Sequence, residues 1–251
     1  MKLKKLTASL MVAGAGLFSQ GAQALVTVDG VTWDPNSAFD FIAQTTLFEQ
    51  VATVAGQTIE GYGSISLFNL QNPDSFCPGC ELTFHFYNYV LDSSITGTVG
   101  EAFNFTGGVI DVFVSARNFD ATNIATATDG TLFLRLVGAD VDADTFTLEG
   151  TLTTNSTIGS QIAGQGTGFL NVTGGSAATY FNTNGQVGGT DILYTSSFQP
   201  LATPVVTGGN TFTHGGTAEI SGDSRAVPEP SVMALMGIGL AGLGLSRRRK
   251  V

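Results

Sequence analysis

Apolar side chains recur at every second position through much of the chain. Leu82, Phe84, Phe86 and Val90 alternate with Thr83, His85, Tyr87 and Tyr89. Ile110, Val112 and Val114 alternate with Asp111 and Phe113, and Leu132, Leu134 and Leu136 with Phe133, Arg135 and Val137. Phe146, Leu148 and Leu152 alternate with Thr145, Thr147, Glu149 and Thr151. A period of two places each set on opposite faces of a sheet, and Thr, Val, Phe and Tyr suit such a surface. Further strands are predicted near 26–33, 59–70, 168–173 and 192–198. Turn signals such as Asp129-Gly130, Gly138-Ala139-Asp140 and Asn184-Gly185 fall between strands. Many short strands without βα alternation predict an all-β, antiparallel β-sandwich or jelly-roll-like body. Short helices at 38–50 or 118–128 are the only helical candidates inside it. Gly208-Gly209, Gly215-Gly216, Pro200 and Pro204 mark 200–226 as a spacer, with a final edge strand at 211–220 as an option. The body is then 25–199.

Two segments break the period. Leu6 to Phe18 is an apolar stretch behind Lys2, Lys4 and Lys5, and Ala22-Gln23-Ala24 reads as an A-x-A cleavage site. Residues 1–24 are therefore expected to be a secretory signal peptide, with the mature chain starting at Leu25. At the other end, Val227-Pro228-Glu229-Pro230 precedes an apolar run and the cluster Arg247, Arg248, Arg249, Lys250. Ser231 is a candidate N-cap, and 231–246 is the expected transmembrane helix, short for a bilayer core of about 30 Å. Basic residues at its end should remain cytoplasmic, which leaves the body outside.

Charge sharpens this division. The 251 residues carry a net charge of −10, but 25–227 holds 3 basic and 19 acidic side chains, and no Lys. Such a body does not bind nucleic acid, which needs clustered Lys and Arg.

The order Pro228-Glu229-Pro230, Gly-rich apolar helix and terminal basic cluster, behind a secretory signal, resembles a PEP-CTERM sorting tail. Tails of this kind also carry the label of an ice-binding-protein C-terminal motif. The resemblance covers 227–251. It implies transient insertion in the inner membrane and removal of the tail by an exosortase, a membrane cysteine protease. Delivery to the cell surface or exopolysaccharide matrix of a Gram-negative bacterium follows. Segments 76–82 and 195–199 are similar to stretches in the bodies of some such proteins, but they bring no activity with them.

Four local features bear on chemistry. Cys77-Pro78-Gly79-Cys80 reads first as a small disulfide in a Pro-Gly turn of an exported protein, with a redox dithiol or half a zinc site as alternatives. Asp140, Asp142 and Asp144 have the spacing that opens an EF-hand loop. Thr145 and Thr151 stand where that loop needs Gly and Glu, so an acidic hairpin connection competes with Ca²⁺ binding. Glu81, His85, Tyr87 and Tyr89 are predicted to share one strand face, and His85, Tyr87 and Tyr89 are candidates for stacking on a sugar. A satisfied second sheet face is the competing reading. No nucleophile, phosphate-loop or dinucleotide motif occurs, and nothing selects a carboxylate pair among the acids. The expected function is that of a non-enzymatic surface or matrix protein without a cofactor, Ca²⁺ aside. A polysaccharide- or calcium-binding module is the alternative, and a secreted hydrolase stands third.

Overall fold

The computed structural model describes residues 25–37, 41–154, 161–225 and 237–239, and of 41–44 the backbone alone. Ala22, Ala24, the sorting triplet 228–230, the basic cluster 247–250 and nearly all of 231–246 lie outside these. No helix among the described residues is long and apolar enough to cross a membrane.

Leu25–Ala226 is one compact unit. It opens with a hairpin, β1 (Val26–Val28) and β2 (Val31–Trp33), closed by Asp29 and Gly30, both at positive φ. The main sheet contains β3 (Phe41–Glu49), β4 (Thr58–Phe68), β5 (Cys80–Leu91), β6 (Ala102–Ala116), β7 (Thr131–Ala139), β8 (Leu148–Leu152), β9 (Gly164–Gly174), β10 (Ile192–Thr207) and β11 (Asn210–Gly222). Short helices α1 (Pro73–Phe76) and α2 (Ala178–Phe181) interrupt it. The expected helix at 38–50 is replaced by β3, and of 118–128 only Ile124–Ala127 is helical, as one 3₁₀ turn.

Every pairing is antiparallel, and the sheet closes on itself. Its order is β10-β11-β3-β4-β5-β6-β7-β9, and β9 pairs back onto β10. A two-sheet sandwich is therefore not what the hydrogen bonds draw; they draw a barrel with no open edge along this ring. The strand β8 continues the position of β7, since both lie between β6 and β9. The segment carrying Asp140, Asp142 and Asp144 thus joins two strands in line and is not a hairpin turn.

Residues 200–222 belong to β10 and β11, not to a spacer. The strand β11 lies between β10 and β3, inside the ring. Glycines in this stretch serve close backbone approach: a Cβ on Gly216 would fall 1.8 Å from the Ser197 carbonyl oxygen. Past Pro200 the β10–β11 register shifts, and the end of the hairpin folds over the outer face. There Phe212 covers Tyr62, their ring centroids 4.9 Å apart. The Tyr62 hydroxyl donates to the Ala121 carbonyl at 2.6 Å.

The interior is aromatic-rich. Gly61 and Gly63 of β4 lie opposite Phe86 and Phe84 of β5, and a Cβ on either glycine would enter the facing ring. At one end Trp33 packs edge-on against Phe68, Phe133 and Tyr180. Its indole N–H donates to the Ser224 hydroxyl at 3.2 Å.

Candidate functional site

The Cys77–Cys80 pair is a disulfide with Cα atoms 5.0 Å apart. Asn72 caps α1, which ends at Cys77; Gly79 takes a positive φ, and Cys80 starts β5. The helix precedes the motif, so no helix N-terminus acts on either sulfur. Arg117 binds the Cys80 and Cys77 carbonyls and pairs with Asp74, fastening the turn to the end of β6.

The predicted face of Glu81, His85, Tyr87 and Tyr89 is divided. Asn88 adopts φ 62°, and Tyr87 with Asn88 stands opposite the single residue Glu60. This bulge reverses the parity of β5. His85 and Tyr87 stay outside, while Tyr89 turns into the barrel and is buried. Glu81 remains outside and accepts from the Asn118 and Phe119 amides.

Outside, His85 and Tyr87 join a ladder across five strands. Glu60 Oε1 lies 2.8 Å from His85 Nε2, and its Oε2 accepts from the Asn210 amide at 2.6 Å. The His85 and Tyr87 rings stack at 5.0 Å. The Tyr87 hydroxyl donates to Asp111 Oδ2, which also accepts from Arg135 Nη2 at 2.7 Å. Arg135 Nε completes a bidentate pair at Asp111 Oδ1, also 2.7 Å. Desolvation and the Asp111 carboxylate push the Tyr87 hydroxyl above its usual range. Sequence reasoning missed Glu60, Asp111 and Arg135 as members of this group. Their only signal was opposite charge at polar positions of neighbouring alternating runs.

The three loop carboxylates do converge: Asp140, Asp142 and Asp144 can place oxygens within 4.8 Å of one another, all exposed. Much of their capacity is used locally. Asp140 accepts from the Asp142, Ala143 and Thr145 amides, and Asp144 from Phe146. Desolvation pushes the Asp142 carboxyl up, and the charge of Asp144 adds to it.

On another part of the outer face, seven strands border a polar groove of about 870 Å³. Thr46, Asn104, Glu149, Gln165, Thr167 and Thr217 are among its lining residues. Some hydroxyls satisfy each other, as Ser197 and Thr217 do at 3.1 Å.

The chain leaves the barrel beside Trp33. The Arg225 amide donates to the Tyr180 carbonyl at 2.8 Å, and its guanidinium reaches the Asn182 carbonyl. An acidic antiparallel barrel that runs at once into an apolar, basic-ended tail defines a folded body carrying a terminal sorting signal. That signal is matched by the model of the PEP-CTERM protein-sorting motif, over residues 226–250. The motif implies export and exosortase-dependent sorting to the cell surface, with processing by a membrane protein. No curated protein and no solved structure matches the chain.

Proposed function

We propose that this chain is a non-enzymatic component of a bacterial surface layer or exopolysaccharide matrix. It crosses the inner membrane by the secretory route, is held there by 231–246, and is released when an exosortase-like protease removes the tail. The supporting observation is the junction itself. The last described contacts of the body are made by Arg225, and the sorting motif begins at residue 226. Replacing Pro228, Glu229 and Pro230 by Ala should leave uncut protein in the membrane fraction, as read by intact mass and fractionation. Unchanged release would refute the sorting role.

A ligand-binding body is the second reading. The polar groove favours a glycan through its many hydroxyl and amide groups, and the converging loop carboxylates favour Ca²⁺. Calorimetry with Ca²⁺ on the wild type and on Asp142→Ala separates the metal part: heat lost in the variant supports it, and no heat in the wild type ends it.

A further inference from the structure

One end of the barrel holds a chamber separate from the outer ladder. Glu49, the last residue of β3, points inward with 8% of its surface exposed. Tyr89 of β5 and Tyr194 of β10 stand around it, 2% and 7% exposed. These three line a cavity of about 40 Å³, walled otherwise mainly by apolar groups such as Ile59, Phe86, Ile95 and Phe103. Burial raises both tyrosine hydroxyls, Glu49 adds to the shift of Tyr194, and the Tyr194 hydroxyl also hydrogen-bonds Ser196. The Tyr89 hydroxyl is buried with no hydrogen-bond partner among the described residues.

Among the described residues no Lys or Arg lines the chamber. His214 lies opposite Glu49 in the β3–β11 register, but it is engaged elsewhere. Its Nε2 donates to the Ile162 carbonyl at 3.0 Å, and its Nδ1 accepts from the Thr213 hydroxyl at 2.9 Å. Burial lowers its pKa, so the ring stays neutral. Burial likewise raises Glu49 to about 8, so this carboxyl is mostly protonated at neutral pH.

A carboxyl group in an apolar chamber is costly unless its charge is met, and an aliphatic residue would pack there more cheaply. What the walls lack is a cation. Ring faces favour one, and the tyrosine hydroxyls can accept from one. A cation stabilises the ionised carboxylate that burial disfavours, whereas an anion would only hold Glu49 in its protonated form. We propose that the chamber binds a small primary ammonium ion. Its three N–H groups match the Glu49 carboxylate and the Tyr89 and Tyr194 hydroxyl oxygens, and its carbon faces the phenylalanine rings. At about 40 Å³ the cavity is small, which restricts the ion to one of methylammonium size. Binding at neutral pH moves one proton from the Glu49 carboxyl to solvent, leaving a carboxylate–ammonium pair.

The test is calorimetric titration of the full chain, in a neutral maltoside detergent, with methylammonium chloride. Two buffers that are not primary amines, differing in ionisation enthalpy, report the proton count. Saturable binding at pH 7 should release close to one proton per ion. Affinity should rise about ten-fold between pH 7 and pH 9, following the ionised fraction of Glu49. Glu49→Gln should abolish binding while keeping the far-UV circular dichroism of the barrel, and Tyr89→Phe should weaken it several-fold. Tyr89→Phe carries the test alone if Glu49→Gln fails to fold. Absence of saturable binding, equal binding of methanol, or binding unchanged in the variants would overturn the proposal. None of these outcomes depends on how the tail is sorted.

Discussion

Glu49 makes the stability of the barrel depend on pH. Its carboxyl titrates at about 8 when folded against 4.5 in its ordinary state. The folded protein therefore holds this proton where the unfolded chain has lost it. The stabilisation is complete below pH 4.5, falls as pH rises toward 8, and is gone above that. A shift of this size corresponds to a free energy on the order of 5 kcal/mol. Glu49→Gln mimics the protonated form, so it should be near neutral at pH 4.5 and strongly stabilising at pH 9. Denaturant titrations at both pH values measure this, and equal midpoints for the two proteins at pH 9 would contradict it. The sequence held a hint here: Thr45, Leu47 and Glu49 share one parity, which puts a carboxylate in line with a core leucine. Nothing in the sequence showed that the opposite wall would be Tyr194, a residue 145 positions away.

At the scale of elements, most strands were legible because one face of each is buried, and burial writes alternation into the chain. β5, β6 and β7 follow their alternating runs closely. What alternation cannot express is a change of parity. Phe105 and Ile110 both point inward although an odd number of positions separates them, because Gly107 and Gly108 take positive φ beside Asn88. The bend lets one half of β6 pair with β8 and the other with β7. Tyr89 was misplaced for the same reason, since the stripe from His85 was read through the bulge. Asn tolerates the left-handed conformation, and a branched aliphatic residue does not. Asn88→Val should lower stability by about 1–2 kcal/mol, whereas Asn88→Gly should be nearly neutral. Thermal melts of the two variants distinguish backbone strain from loss of the amide, which would affect both alike.

The whole molecule is where the sequence said least. Barrel closure rests on a pairing far apart in the chain, β3 with β11. No local pattern announces such partners, and the glycines and prolines of 200–222 imitate a linker. They are there because crossing backbones come too close for a Cβ, as at Gly216. A chain ended at residue 199 loses β11 and the end of β10, which leaves β3 and the rest of β10 as bare edges. Such a chain should be insoluble or lack a cooperative thermal transition, whereas one ended at Arg225 should melt in a single step. Closure also means that the barrel is complete only when the last strand, β11, docks on β3. The family resemblance reached only the tail. It marked the route, while the work of the body has to be read from the ladder, the groove and the chamber.

The bond between Trp33 and Ser224 has one more consequence. Val26 pairs with Trp33, and Arg225 follows Ser224, so entrance and exit of the polypeptide meet at a single pole. Stitching Arg225 to Leu25 with a few Gly and Ser residues, and opening new ends at Gly208-Gly209, should yield a circular permutant with the native circular dichroism and a melting temperature close to the original.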